Sequence, residues 1–233
     1  MLSQGMEKLN FNLEVTEHGN NPFDYWIVDN FLDYNVAKDI SQQFLNYEEE
    51  EWVGYDGWIA KKKICNKWDR FPPLTYKTFF NLLSDEFTER VSKMTGCEPL
   101  YPDIGLHGGG WHMHTQGGNL SVHLDYSIHP KMNLQRKINL ILYLEEGYES
   151  EWGGDLELWS HNPEKNKPGH CVKSIEAKFN RAVFFDTTQN SWHGVPSKLN
   201  CPPGKARKSF AVYYLTELSN TAVDRFRAHY VET

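Results

Sequence analysis

The stretch Leu120-Ser-Val-His-Leu-Asp125 holds the two residues from which the fold and the site are predicted. Side chains alternate between the faces of a β-strand, so His123 and Asp125 share one face and Leu124 lies on the other. One imidazole and one carboxylate therefore converge, as two ligands of one metal ion would. The pair alone is weak support, because a chain with 10 His contains such spacings by chance. A third ligand has to come from elsewhere.

A third candidate ligand follows the apolar run Arg181-Ala-Val-Phe-Phe-Asp186. After a polar turn, His193 opens another short strand in Trp192-His-Gly-Val195. Two imidazoles and one carboxylate on one face of a metal leave three positions open, which suits Fe(II). The lack of a thiolate argues against a Cys-rich structural zinc site. Taken alone, His193 is more typical of a core or turn histidine whose hydrogen bonds are satisfied. Its combination with His123 and Asp125 favours the interpretation as a metal ligand instead.

The second half of the chain has the pattern of a β protein. Short runs separated by Gly, Pro and Asn predict strands of a sandwich or barrel rather than βαβ units. These strands are predicted at 120–125, 136–144, 155–160, 171–177, 181–186 and 207–216.

The first hundred residues predict a mixture of strands and helices. Strands are expected at 10–15 and 25–32, and Asp33 is a candidate N-cap for a helix to about Tyr47. A second helix is expected from after Pro73 to about Met94. We therefore predict one domain, mainly β with flanking helices: an α/β N-terminal flank (1–100), a β core (101–218) and a C-terminal tail (219–233).

Composition narrows the class of protein. The formal net charge of −7 argues against a nucleic-acid surface, and the basic run Lys61-Lys62-Lys63 predicts a solvated face. No apolar segment within 1–15 predicts a signal peptide or a membrane partner. The 4 Cys contain no Cys-x-x-Cys pair, which predicts a reducing, cytoplasmic compartment. The oligomeric state is left open.

A glycine-rich segment, Gly105-Leu-His-Gly-Gly-Gly-Trp-His-Met-His-Thr-Gln-Gly-Gly118, joins the two halves. So many glycines predict a loop rather than a helix or a regular strand. A loop of this length in a compact domain is usually functional, and this one is expected to be a lid that selects the substrate. Its three histidines, His107, His112 and His114, are predicted to lie at the surface or on the lid.

Arg207 opens the last predicted strand. Alternation places Arg207 and Ser209 on one face of this strand. A planar guanidinium matches a carboxylate in a two-pronged contact, to which the Ser209 hydroxyl could add a hydrogen bond. The alternative is an arginine at a strand edge that pairs with a surface acid.

With these residues in place, the sequence resembles the Fe(II)- and 2-oxoglutarate-dependent oxygenases, specifically their prolyl 4-hydroxylase-like branch. The resemblance covers about residues 25–216 and implies a double-stranded β-helix, the jelly roll of cupin-like proteins. It rests on ordered motifs: His123-x-Asp125, a strand ending in Tyr143-Leu144, Gly153-Gly154-Asp-Leu, Phe184-Phe185-Asp186, Trp192-His-Gly-Val and the strand led by Arg207.

The resemblance implies a role for each matching position. The iron ligands would be His123, Asp125 and His193. The far carboxylate of 2-oxoglutarate would bind Arg207, Tyr143 and Ser209. Substrate contacts would come from Arg136, Asn139 and Trp111. Fe(II) would be the metal, 2-oxoglutarate and O₂ the co-substrates, and ascorbate a candidate reductant.

Two departures from the family pattern matter. Collagen-type prolyl hydroxylases use a lysine soon after the last histidine; here Cys-Pro-Pro-Gly lengthens the interval, and Lys205 competes with Arg207 for the carboxylate. This puts a collagen-like substrate in doubt. Asp125 stands where halogenases of this superfamily have a small residue, so halogenation is not expected.

The expected activity is hydroxylation of an unactivated C–H bond by a dioxygenase. A prolyl residue in a peptide or protein is one substrate, and a small metabolite such as a free amino acid or sugar is the alternative. A non-catalytic cupin-like protein that binds a metal or ligand is a further alternative. A carbohydrate-binding jelly roll would leave the His/Asp/His set unexplained.

Overall fold

The computed structural model describes residues 8–220, 222–223 and 225–231. Within these ranges the chain forms three α-helices and one antiparallel sheet of 14 strands. The helices are α1 (Tyr34–Gln42), α2 (Pro73–Leu82) and α3 (Asp85–Thr95). The strands are β1 (Glu17–Gly19), β2 (Tyr25–Val28), β3 (Val53–Asp56), β4 (Ala60–Cys65), β5 (Tyr101–Pro102), β6 (Gly110–His114), β7 (Asn119–Leu124), β8 (Gln135–Tyr143), β9 (Leu156–Asn162), β10 (Lys167–Ile175), β11 (Ala182–Asp186), β12 (Trp192–Val195), β13 (Arg207–Thr216) and β14 (His229–Tyr230).

The sheet curls so that distant strands face one another. Its order is β1-β2-β11-β8-β13-β6-β4-β7-β12-β9-β10, with β3 on β4, β5 on β13 and β14 on β7. Arg207 of β13 and His193 of β12 are separated by several strands in this order, yet both line one cavity. The inner face of the curl therefore encloses the cavity.

The helices cover the outer face of the curl. Alternate residues of β8 (Ile138, Leu140 and Leu142) are fully buried in the main core with residues of all three helices. Phe79 of α2 stacks on Phe210 of β13 with ring centroids 4.3 Å apart. Burial of each such side chain contributes on the order of 2 kcal/mol. This layer fixes which residues of β8 and β13 remain for the inner face.

Helices are present where they were predicted, but their lengths differ from the predicted ones. The Asp33 carboxylate caps α1 by accepting from Asn35 N at 2.9 Å, but the helix ends at Gln42. The second predicted helix is two helices, because Ser84 starts a new one by accepting from Phe87 N at 3.2 Å. Gly96 ends α3 in the left-handed conformation.

The six strands predicted after residue 120 are present, with ends that move by a few residues. The prediction of a strand at 10–15 is wrong: this segment forms no strand, although Phe11 packs into the core. The hairpin of β3 and β4 was not predicted. All four residues of β3 are exposed, so it lacks the apolar alternation that marks a strand.

The prediction of an irregular loop over 105–118 is wrong for its centre. Residues 110–114 form β6, which pairs with β4 on one side and β13 on the other. The glycines flank this strand instead of filling it. Gly110 has a φ of 92°, and a Cβ at that position would overlap the carbonyl oxygen of Cys65. Glycine here allows the two backbones to approach closely enough for the strand to pair.

The predicted flank and tail share the sheet with the predicted core. From the flank, β2 pairs with β11, and β4 lies between β6 and β7. From the tail, β14 pairs with β7. The division at 100/101 and 218/219 stays a prediction. In the described ranges no helix combines the length and the apolar character needed to cross a membrane.

Replacing Gly110 by Ala is expected to lower the free energy of unfolding by at least about 2 kcal/mol, because the new Cβ adds strain at positive φ and a clash. Urea denaturation measures the change. Gly54→Ala is the matched control, since nothing lies within 4 Å of a Cβ there. Equal stability of the two variants would contradict the role given to Gly110.

Candidate metal centre and cavity

His123, Asp125 and His193 converge at the inner face of the curl. His123 and His193 are directly opposed in the pairing of β7 with β12, and their ring centroids are 4.4 Å apart. One candidate ligand atom from each of the three residues lies within 4.8 Å of the other two. The pairing register thus brings together residues 70 positions apart in the sequence.

The backbone fixes the tautomer of both histidines. Nδ1 of His123 lies 2.9 Å from the carbonyl oxygen of Ser121, and Nδ1 of His193 lies 2.8 Å from that of Ser191. A carbonyl oxygen only accepts, so each Nδ1 carries the hydrogen. Each neutral ring then presents the lone pair of Nε2 to the same point. Such outer contacts orient metal-ligating histidines in general.

Charge and burial prepare these groups to bind a cation. Burial lowers the pKa of His193 to about 4, so its imidazole is neutral near pH 7. Burial alone would raise the pKa of Asp125, but the positive charge of Arg136 and the neighbouring His rings outweigh it. The pKa of Asp125 therefore lies well below its usual range. The carboxylate is ionised and close to the neutral imidazole of His193 and to Nε2 of His123.

One oxygen of Asp125 indicates that a metal ion binds between the three residues. Its Oδ2 is buried and has no hydrogen-bond partner among the described residues, and it lies 3.9 Å from Nε2 of His193. A buried carboxylate oxygen without a partner is costly unless a cation satisfies it. Two imidazole nitrogens and one carboxylate, without a thiolate, fit Fe(II) and leave one side of the metal open. The residues present therefore fit the metal that the sequence implied.

Arg136 supports the site from the cavity wall. Its guanidinium carbon lies 3.4 Å from the ring centroids of both Tyr126 and Tyr213. Its Nη1 lies 3.4 Å from Oδ1 of Asp125. At 2% exposure, Arg136 lies deep in the cavity wall and not at the mouth of the site. Its contact with a substrate, like that of the cavity-lining Asn139, stays a prediction.

A cavity of about 410 Å³ extends from the three residues toward Arg207. Arg207 is buried, and its Nε donates to the carbonyl oxygen of Gly154 at 2.6 Å. Its Nη2 donates to the Tyr143 hydroxyl at 3.3 Å. Among the described residues no carboxylate forms an ion pair with Arg207. A buried guanidinium with free donors and no counter-ion is built to receive an anion.

Glycine is required beside Arg207. Gly154 has a φ of 80°, and a Cβ there would lie 3.0 Å from Cδ of Arg207 and 2.7 Å from the Tyr148 hydroxyl. Ser209 is buried, lines the same cavity and pairs in the sheet with Tyr143. The three residues expected at one carboxylate therefore lie together.

Lys205, the competitor of Arg207, lies elsewhere. Its Nζ is 3.5 Å from a carboxylate oxygen of Glu145, and its side chain is 41% exposed. It does not line the cavity. The geometry therefore favours Arg207 as the residue that faces an anion in the cavity.

The prediction that Trp111 contacts substrate is wrong. Trp111 is fully buried on the outer face of β6, where its ring packs 5.1 Å from Phe44 and 5.0 Å from Phe71 between centroids. Alternation within β6 sends His112 and His114 to the inner face instead. Both line the cavity, so their expected place at the surface or on a lid is also wrong. His107 lines the cavity too, but it is exposed, as predicted.

Two further cavity residues were not predicted as part of the site. Lys62, from the run expected to be a solvated face, lines the cavity from β4. Tyr230 lies in the C-terminal tail, and its ring stacks on His123 at 4.8 Å between centroids. Arg225 of the same tail donates to the backbone oxygen of Asp125. The alternation of side chains in β4 could have predicted that Lys62 faces the cavity. The sequence of the tail contains no pattern that predicts the position of Tyr230.

Comparison with known proteins shows which family and which curated relative the sequence is similar to. The sequence model of the 2OG-Fe(II) oxygenase superfamily matches residues 109–215. The chain is 33% identical over 79 residues to prolyl 3-hydroxylase OGFOD1 of Xenopus laevis, a match that covers 34% of this chain and 15% of that protein. The aligned part is thus a small fraction of the curated relative.

Two solved structures share the fold. A prolyl hydroxylase from Trichoplax adhaerens, in complex with a peptide fragment of the hypoxia inducible factor oxygen degradation domain, matches with a TM-score of 0.57 and 18% identity over 82% of this chain and 83% of that one. HygX from Streptomyces hygroscopicus, with nickel, 2-oxoglutarate and hygromycin B bound, matches with a TM-score of 0.54 and 14% identity over 89% and 92%. The predicted jelly roll is confirmed.

Replacing His123 by Ala is expected to weaken Co(II) binding by more than the roughly 10- to 100-fold loss typical of an outer-shell partner, because it removes a ligand. Isothermal titration calorimetry measures the dissociation constant. His170→Ala, at an exposed histidine of β10, is the matched control. Unchanged Co(II) affinity of the His123 variant would rule out this metal centre.

Proposed function

We propose that the chain is an Fe(II)- and 2-oxoglutarate-dependent dioxygenase, because the sequence model of the 2OG-Fe(II) oxygenase superfamily matches residues 109–215. It hydroxylates an unactivated C–H bond. The observation that carries this proposal is the buried guanidinium of Arg207, without a carboxylate partner, in one cavity with His123, Asp125 and His193. A 2-oxo acid with a second carboxylate joins the two ends of this cavity.

The chain's own residues bind and orient the reactants. His123, Asp125 and His193 hold the metal, and Arg207 forms charge-assisted hydrogen bonds to the far carboxylate of 2-oxoglutarate. Tyr143 holds the guanidinium plane and, with Ser209, offers hydroxyl donors to the same carboxylate. Buried aromatic rings around Arg136 and the ring of Tyr230 keep water from the ligands.

Fe(II), when bound, would activate O₂, so that one oxygen atom enters the C–H bond and the other enters succinate, which forms with CO₂ from 2-oxoglutarate. Ascorbate is the proposed external reductant. The protein contributes position, charge and a dry cavity.

The proposed substrate is a prolyl residue in a peptide or protein. Two observations support it: the similarity to a prolyl 3-hydroxylase over 79 residues and the shared fold of a prolyl hydroxylase solved with a peptide. A second candidate is a small metabolite, because HygX shares the fold and was solved with hygromycin B.

We propose neither a nucleic-acid nor a membrane partner. A reducing, cytoplasmic setting is part of the proposal and agrees with four free thiols.

Arg207→Met is expected to raise the dissociation constant of 2-oxoglutarate at least about tenfold, since a hydrogen bond to a charged group contributes roughly 1.5–3 kcal/mol. Titration of the visible absorption band of the anaerobic Fe(II) complex measures it. Lys205→Met, which removes the competing lysine, should leave the constant unchanged. The opposite pattern would assign the carboxylate to Lys205.

The purified chain with Fe(II) is expected to convert 2-oxoglutarate to succinate and CO₂, and a proline-containing peptide should stimulate this more than free amino acids, sugars or aminoglycosides. Mass spectrometry should find a gain of one oxygen atom on the proline. Full turnover by the His123→Ala variant would overturn the proposed function. Stimulation by a metabolite alone would replace the substrate but not the reaction.

A further inference from the structure

An unassigned basic group lies inside the cavity. Lys62 of β4 and the two inner histidines of β6 line the cavity together with Arg207 of the next strand, β13. Ile64 pairs with His112, and Arg207 pairs with His114. Lys62, two residues before Ile64, points to the same face. Three adjacent strands thus turn basic or imidazole side chains toward one space.

Lys62 forms no ion pair with an acid. Among the residues that the structure describes, no carboxylate lies within ion-pair distance of its Nζ, and Asp125 acts on it only through the longer-range field of the cavity. The two lysines beside it differ: Lys63 lies 3.7 Å from Glu48, and the residue before Lys62 is exposed. The positive charge of Lys62 instead acts on His112, His114 and His193. An ammonium held in a cavity without a counter-ion favours an anionic ligand.

One histidine beside Lys62 offers a further donor. His114 is 1% exposed, and among the described residues neither of its ring nitrogens has a hydrogen-bond partner. His112 has already used its N–H on the carbonyl oxygen of Gly108, 3.2 Å from Nε2. Burial, with the charges of Arg207 and Lys62, holds the pKa of His114 well below its usual range. A neutral imidazole still carries one N–H donor. A buried ring with no partner, directed into the cavity, therefore awaits a ligand group.

The charges in the cavity do not balance with co-substrate alone. Among the described lining residues, Asp125 is the one acid against the three cations Lys62, Arg136 and Arg207. Fe(II) adds two positive charges, and 2-oxoglutarate brings two negative ones. Two positive charges stay uncompensated in a space of about 410 Å³, which is unfavourable at low dielectric. A substrate with a negative charge would offset them.

We propose that the substrate carries a carboxylate close to the hydroxylated position, and that this carboxylate binds Lys62 and accepts a hydrogen bond from His114. The inference rests on the proposed function and names its substrate class: an acidic peptide, with Asp or Glu beside the target residue. A peptide with lysine or arginine at that place is repelled by the same charges.

The test uses fluorescein-labelled nonapeptides with a central proline, in three matched versions that flank it with Glu, Gln or Lys. Their binding to the chain loaded with Mn(II) and N-oxalylglycine, an inert analogue of 2-oxoglutarate, is measured by fluorescence anisotropy. The Glu version should bind at least about tenfold more tightly than the Gln version, as expected for a charge-assisted contact. The Lys version should bind most weakly.

Variants of the basic run assign the effect to Lys62. Lys62→Met should reduce the preference for Glu over Gln to less than about twofold, and Lys62→Arg should retain most of it. The control is Lys61→Met, at the exposed neighbour, which should preserve the full preference. No preference for Glu in the wild-type chain, including no measurable binding of any version, overturns the proposal, as does a preference that survives Lys62→Met.

A separate titration distinguishes this proposal from its premise. The affinity of the anaerobic Fe(II) form for 2-oxoglutarate should be the same in the wild-type chain and in Lys62→Met. A tenfold loss in the variant would assign Lys62 to the co-substrate and overturn the proposal. Absence of the visible absorption band in the wild-type chain would instead contradict the proposed function, while the anisotropy ratios would still report the anion preference.

Discussion

The register between β7 and β12 is the constraint on which the rest of the site depends. It opposes His123 to His193 and leaves Asp125 just past the end of β7. Because strand side chains alternate, a slip of one residue would turn both ligands of β7 to the other face. The backbone oxygens of Ser121 and Ser191 then fix the ring tautomers. Position and chemistry of the metal centre thus follow from one strand pairing.

A second constraint is electrostatic. The inner face holds buried cations with few acids, and Arg136 alone has a close carboxylate, that of Asp125. Arg207 and Lys62 lack such partners among the described residues. A fold tolerates this arrangement when ligands bring the missing negative charge. The same imbalance therefore connects the co-substrate, bound at one end, with an acidic substrate at the other.

Alternation in a strand was sufficient to predict His123, Asp125, Arg207 and Ser209 as inward-facing residues, since each belongs to a recognisable apolar strand. Alternation could not be applied where the strand itself was not predicted. Six glycines concealed β6, so Trp111 was assigned to the cavity and the histidines beside it were not. Lys62 was missed because β4 was not predicted and the run Lys61-Lys62-Lys63 was assigned to a solvated face. Tyr230 reaches the site only through tertiary pairing of the tail with β7, which no local pattern encodes.

The most direct measurement is a crystal structure of the chain with Mn(II) and N-oxalylglycine. We predict that Nε2 of His123, Nε2 of His193 and a carboxylate oxygen of Asp125 coordinate the metal. We also predict that the far carboxylate of the analogue binds Arg207 and the Tyr143 hydroxyl, with Lys62 left free. Metal bound at other residues, or the carboxylate bound to Lys205, would contradict this assignment of the site.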